Sequence, residues 1–222
     1  MESRKFLSDE MDRLRQDILA MSIRVEENLG KALTALKTRN SELAKEVRAD
    51  DSEVDALQMR IEDNAAMIIA TQHPVARDLR EMVAIFKITS NIERVGDYAV
   101  HLSRAAKKLA KSDASPFGAQ DHLEKMAKIG QQMLRAAISA FMEQNAQAAR
   151  EAAAMDDKID KEHKELTEEI LKLMKKKKTD FIKGALQILQ TSNQLERLGD
   201  HITNICGAVI YMTEGKHEEL NE

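Results

Sequence analysis

One segment of the chain is repeated, and this repeat constrains the fold more than any other feature of the sequence. NIERVGDY (residues 91–98) and NQLERLGDH (residues 193–201) share the motif Glu-Arg-x-Gly-Asp, with copies 103 positions apart, from Glu93 to Glu196. Apolar residues recur around both copies at steps of three and four, the period of an amphipathic helix. The two matching stripes are Ile85, Ile88, Ile92, Val95, Ala99 and Leu102, and Ile188, Thr191, Leu195, Leu198, Ile202 and Ile205.

Two asparagines extend the repeat beyond this helix. Asn40 in NSELAKEV and Asn145 in NAQAAREA each precede a helical pattern and are suited to cap it. Together the repeats predict an all-α fold made of two tandem up-down three-helix bundles with six long helices. We expect a first repeat over residues 1–112, a linker over 113–117 and a second repeat over 118–222.

Smaller signals predict where the helices end. His73-Pro74 should end the second helix, and Pro74 can serve as the first residue of the third, which is expected to run to about Lys111. In the second half the lysines at 175–178 stand at the corresponding turn, and the last helix is expected from near Thr179 to near Gly215.

Composition excludes several classes of protein. With 2 Pro and 8 Gly and no alternating β-branched runs, there is little to interrupt helices and no signal for a sheet. A net charge of −4 and 3% aromatic residues argue against a nucleic-acid partner. No apolar stretch approaches the ~18 residues of a membrane-spanning helix. A single cysteine, Cys206, and a start without a secretory pattern favour a cytoplasmic location.

The repeated acids are the candidate site. Glu93 and Asp97 lie one helical turn apart on one face, as do Glu196 and Asp200. The second helix of each half offers a further pair with the same spacing, so antiparallel packing could bring four carboxylates together in each half. The residues of these second-helix pairs are Asp51 and Asp55, and Asp156 and Asp160. Clustered carboxylates repel each other unless a cation lies between them, and oxygen ligands suit Mg, Ca, Mn and iron.

A simpler interpretation is also open. Arg94 precedes Asp97 by three residues and Arg197 precedes Asp200 by three, so each acid could form an ordinary exposed ion pair. Against this interpretation, Gly96 and Gly199 each destabilise a helix by roughly 0.8–1.0 kcal/mol relative to alanine, and the presence of this cost in both copies favours a functional role for the motif. Periodicity alone leaves metal binding and solvated acids as alternatives.

Three segments together resemble the PhoU family of phosphate-transport regulatory proteins: HPVARDLR (residues 73–80), NIERVGDYAVHL and NQLERLGDHITNI. The resemblance spans essentially the whole chain. It implies a non-enzymatic negative regulator of phosphate uptake and of the phosphate-starvation response. Such a protein acts between the ATP-binding subunit of a phosphate ABC transporter and a sensor histidine kinase. It also implies a cytoplasmic homodimer that meets the inner membrane only through its partners.

The resemblance also implies ligands and contact residues. Some family members bind iron, zinc, manganese or magnesium on acidic motifs, which fall here on Asp51, Asp55, Glu93, Asp97, Asp156, Asp160, Glu196 and Asp200. Partner contacts fall on Arg77, Asp78 and Arg80. The second half lacks this turn and has Lys183 at the position of Arg80, so partner binding is expected to be one-sided. A helical-bundle metalloenzyme and a purely structural module remain as alternative functions.

Overall fold

Seven helices make up the part of the chain that the computed structural model describes, which is residues 2–109, 119–174 and 179–220. No strand occurs within these ranges, which confirms the all-α prediction. The proposed linker and the lysines at 175–178 lie outside the described residues. The helices are α1 (Glu2–Thr38), α2 (Ser41–Gln72), α3 (Arg77–Leu109), α4 (Ala119–Met142), α5 (Ala146–Ala153), α6 (Asp156–Met174) and α7 (Thr179–Glu214).

The helices form two three-helix halves. In the first half α1, α2 and α3 all contact one another, and in the second half α4 and α7 pack with the α5 and α6 pair. The most extensive contact in the described chain joins α3 to α7, so the two motif-bearing helices lie side by side at the centre. Among the described residues, no helix combines the length and the apolar run needed to cross a bilayer.

The predicted apolar stripes form the core of both halves. All twelve stripe residues of α3 and α7 are at most 3% exposed. Thr191 stands where the first half has Ile88, and its hydroxyl donates to the backbone carbonyl of Gln187 at 2.8 Å, which satisfies the only polar group in the two stripes. Burial of the same positions in both halves confirms the duplication.

Both predicted asparagine caps are present. The Asn40 side chain accepts hydrogen bonds from the backbone N–H groups of Glu42 (2.9 Å) and Leu43 (3.3 Å) at the start of α2. Asn145 accepts one from Ala148 (3.0 Å) at the start of α5. Each cap satisfies backbone donors that a helix start leaves free. The caps stand 105 positions apart, so this offset matches residues in the first two helices of one half to their counterparts in the other half.

Two boundaries differ from the sequence expectation. Pro74 does not begin α3, which starts at Arg77, because His73 and Ala76 both take left-handed backbone conformations (φ 49° and 48°) and extend the turn. The middle helix of the second half is divided at Ala154 and Met155, where Met155 N–H donates to Ala152 (3.1 Å) in a tight turn. The division makes Asp156 the first residue of a new helix.

Candidate metal centre

The structure brings the four acids of the first half together. Asp51 and Asp55 on α2 face Glu93 and Asp97 on α3, which packs directly against it. Partial burial raises the pKa of Asp51 and of Glu93, and the neighbouring carboxylates raise both further. The smaller part of each shift reflects repulsion between the carboxylates, which an added cation would relieve.

The second half holds a deeper version of the same cluster. Asp160 on α6 faces Glu196 and Asp200 on α7, and all three surround Asp156, which is only 8% exposed. Burial and the neighbouring carboxylates raise the pKa of Asp156 to about 7, although a hydrogen bond from the Thr203 hydroxyl to Oδ2 (3.3 Å) opposes this. Burial is also the main cause of the raised pKa of Asp160 and of Glu196.

One oxygen of this cluster lacks a partner. Asp156 Oδ1 is buried and accepts no hydrogen bond. A buried polar oxygen without a partner is costly, since it has lost its water and gained nothing in exchange. An oxygen in this position, with carboxylates around it, fits a cation ligand.

The motif glycines have different neighbours in the two halves. A Cβ added at Gly199 would overlap the carboxylate of Asp156 and lie 3.2 Å from the side chain of Ile159. A Cβ added at Gly96 would make ordinary 3.5 Å contacts with Val25 and Val54. Only in the second half does the glycine make room for an acid.

The motif arginines also differ. Arg94 forms the expected ion pair with Asp97 (3.0 Å) and lies 3.6 Å from Glu93, while its side chain stays 55% exposed. Arg197 instead donates from Nε to the hydroxyl of Tyr98 (3.2 Å), which links the second half to the first. An exposed pair such as Arg94–Asp97 contributes little to stability.

The chain after α7 covers one side of the second cluster. Arg150 on α5 pairs with Glu214 (2.8 Å) and with Glu218 (2.7 Å), which holds residues 215–220 against the bundle. The resulting cleft of about 540 Å³ is lined by Arg150, Ala153, Ala154, Asp156, Asp157, Asp160, Glu196, Asp200, Glu218, Glu219 and Leu220. Sequence reasoning missed Arg150, Thr203 and Glu218, because none belongs to a repeated motif.

The three residues assigned to partner contacts do not lie together. Arg77 and Asp78 line a cleft of about 310 Å³ and Arg77 hydrogen-bonds Gln144 in the second half. Arg80 points to the end of α7, where a Cβ on Gly215 would lie 3.5 Å from its guanidinium carbon, and its Nε is buried without a partner. Of the three, Arg77 is the exposed cation on the first-half turn.

In protein freed of metal by a chelator, we expect stability to fall as the pH rises through 7. Asp156 has a folded pKa of about 7, well above the ~3.9 of an unfolded aspartate. The folded state therefore binds more protons between these values, and the resulting stabilisation is complete below pH ~4 and lost as the pH passes 7. We expect Asp156→Asn to reduce the difference in unfolding free energy between pH 5 and pH 8 by about 2–3 kcal/mol, since about 1.4 kcal/mol is lost for each pH unit between 5 and 7.

Urea unfolding at the two pH values measures this effect. Asp51→Asn, at the corresponding position of the first half, is the matched control and should change the difference less, because Asp51 is less buried. Equal effects of the two substitutions would contradict the prediction.

Two three-helix halves, each with four carboxylates across its second and third helices, define a class of duplicated helical-bundle proteins. The sequence profile of the PhoU domain matches the chain twice, over residues 18–106 and 123–209. The chain belongs to the PhoU family.

Individual relatives agree with this assignment. A phosphate-specific transport system accessory protein PhoU homolog from Pseudomonas putida is 34% identical over 209 residues, covering 93% of this chain and 80% of that protein. A homolog with the same description from Streptococcus pneumoniae is 32% identical over 212 residues, covering 96% and 97%. These names describe accessory proteins and not enzymes, which supports the expectation of a non-enzymatic chain.

Solved structures match the fold. The crystal structure of PhoU from Pseudomonas aeruginosa has a TM-score of 0.89 and 32% identity, covering 94% of this chain and 99% of that one. The phosphate transport system regulatory protein PhoU from Streptococcus pneumoniae has a TM-score of 0.88 and 30% identity, covering 96% and 99%.

Proposed function

We propose that this protein is a cytoplasmic regulator of a phosphate-specific transport system. It acts as a homodimeric adaptor between the ATP-binding subunit of the transporter and the phosphate sensor histidine kinase, and it restrains phosphate uptake and the starvation response. It reaches the membrane only through these partners. The observation that carries the proposal is family membership over both halves, together with an exposed apolar surface at the start of α3.

The exposed surface supports a protein partner. Val75, Leu79 and Val83 follow one another at four-residue intervals and are 72%, 41% and 37% exposed, with Arg77 and Asp78 beside them. Apolar residues next to a charged pair are typical of the centre and rim of a protein interface. We assign this patch, Val75 to Val83, to the ATP-binding subunit of the transporter.

The acidic clusters support a bound metal. All eight donors are carboxylate oxygens, and one of them, Asp156 Oδ1, is buried without a hydrogen-bond partner. Magnesium, manganese, iron or zinc would be held by Asp51, Asp55, Glu93 and Asp97 in one half and by Asp156, Asp160, Glu196 and Asp200 in the other. The metal supplies positive charge that fixes two helices of each half against each other.

The partner assignment is tested by binding of the purified protein to the reconstituted transporter. We expect Leu79→Ser to raise the Kd for the transporter about tenfold, which corresponds to the loss of about 1.4 kcal/mol expected when one central anchor of an interface is truncated. Leu186→Ser is the matched control, because Leu186 occupies the position of Val83 in the second half and is 48% exposed.

Equal weakening by Leu79→Ser and Leu186→Ser would show that the interface is not one-sided. A protein that bound neither the transporter nor the kinase, and left kinase output unchanged in the reconstituted system, would overturn the proposed function.

A further inference from the structure

A second kind of charged cluster lies on the outer side of the second half, between α4 and α6. The Nδ1 atom of His122 is 2.6 Å from Glu162 Oε2, and its Nε2 atom is 3.8 Å from Glu169 Oε2. One donor atom each from His122, Glu162 and Glu165 lie within 4.8 Å of one another. The side chains of His122 and Glu162 are only 12% and 18% exposed, so the imidazole is held between the helices.

The corresponding place in the first half is filled differently. The register set by Asn40 and Asn145 pairs His122 with Asp17 and Glu165 with Arg60. Arg60 donates to Asp17 at 3.1 Å, so the first half closes this gap with an ordinary ion pair. The second half has replaced both members of that pair.

Two further replacements add negative charge at the same place. Glu162 stands at the position of Leu57, and Glu169 at the position of Asn64. Lys125 lies 3.4 Å from Glu162 and Lys161 lies 4.0 Å from Glu165, and both lysines are exposed. The three carboxylates around the imidazole therefore outnumber these two exposed lysines.

We propose that His122, Glu162 and Glu165 form a zinc site that is distinct from the two acidic clusters. Zinc accepts imidazole nitrogen and carboxylate oxygen together in tetrahedral sites. A histidine that binds metal through one ring nitrogen usually donates from the other to a carboxylate, and both nitrogens of His122 face one. Donors of a tetrahedral zinc site lie about 3.3 Å apart, so His122 Nδ1 and Glu162 Oε2 would move apart from 2.6 Å while Glu165 moves inward, and rotation of the two glutamates accommodates both changes.

The nitrogen donor separates this site chemically from the all-oxygen clusters. Imidazole suits zinc, whereas carboxylates alone suit magnesium and manganese. The two kinds of site can therefore be examined with different ions, and the failure of one proposal leaves the other standing.

The test uses the full chain, stripped of metal with a chelator and then dialysed. Zinc is titrated into protein labelled with ¹⁵N at histidine, and the ring nitrogens of His122 are followed by NMR. We expect them to shift and to reach a plateau as zinc is added, whether or not the acidic clusters also take up zinc. Calorimetry should count one zinc ion fewer in His122→Gln than in the wild type, and Glu165→Gln should weaken this site at least tenfold.

Two controls assign the effect to the site. Asp17→Asn, which breaks the ion pair at the matched position of the first half, should leave the zinc count unchanged. The double variant Asp160→Asn/Asp200→Asn should leave the shift of the His122 ring unchanged. Unmoved His122 resonances in wild-type protein at several equivalents of zinc would overturn the proposal, whether or not His122→Gln folds.

Discussion

Gly199→Ala is expected to lower the free energy of unfolding by about 1–2 kcal/mol, while Gly96→Ala leaves it unchanged or raises it by up to about 1 kcal/mol. Both glycines occupy the same place in the Glu-Arg-x-Gly-Asp motif, and alanine is the better helix former at both. The difference comes from their neighbours. A Cβ at position 199 overlaps the Asp156 carboxylate, whereas one at position 96 meets Val25 and Val54 at an ordinary 3.5 Å.

A double-mutant cycle tests the cause as well as the size of the effect. If the overlap with Asp156 is responsible, Gly199→Ala should cost much less in an Asp156→Ala background, because the colliding carboxylate is gone. Urea unfolding of the four proteins measures the coupling. A loss of stability of the same size in both backgrounds, or from Gly96→Ala, would contradict the explanation.

Metal loading is expected to stabilise the protein by about 2.7 kcal/mol for each acidic cluster that is filled, when free Mn²⁺ is held at about 100 times its Kd. For a chain of this length the increase corresponds to a rise in Tm of roughly 5–10 °C. The physical reason is that the ion binds clusters of carboxylates in the folded state that are dispersed in the unfolded chain. Manganese is used because its preference for oxygen ligands favours the acidic clusters over the His122 site.

The quadruple variant with amides at Glu93, Asp97, Glu196 and Asp200 should lose this response. Without metal it should be more stable than the wild type, because neutral amides do not repel the remaining aspartates. The matched control carries amides at Asp9, Glu27, Glu46 and Asp63, which are exposed and lie outside the clusters. A manganese response that the quadruple variant retained, or that the control lost, would contradict the assignment of the metal to the acidic clusters.

The fold could be predicted from the sequence because its signals are periodic and occur twice. The stripes of α3 and α7 specify buried faces, Asn40 specifies a helix start, and i to i+4 spacing places acids on one face. The meeting of four acids in each half then follows from antiparallel packing of neighbouring helices. Whether they hold a metal is a chemical question that spacing does not decide.

What could not be predicted depends on contacts that occur once. The middle helix is divided at Ala154 and Met155, where the sequence has no proline or glycine that would predict a break. The late start of α3 follows from left-handed conformations at His73 and Ala76, residues that do not require them. The His122 cluster depends on how α4 and α6 are aligned side by side. Comparison of His122 with Asp17, its counterpart at the 105-residue offset, would have indicated that the two halves differ at this position.

The pairing of Arg150 with Glu214 and Glu218 has a practical consequence for work with the purified protein. It brings the end of the described chain, at Leu220, to the rim of the cleft that contains Asp156. A polyhistidine tag fused at that end would place chelating imidazoles beside the deeper cluster and compete for any ion bound there. Affinity handles for metal analysis therefore belong at the amino terminus and should be cleaved before measurement.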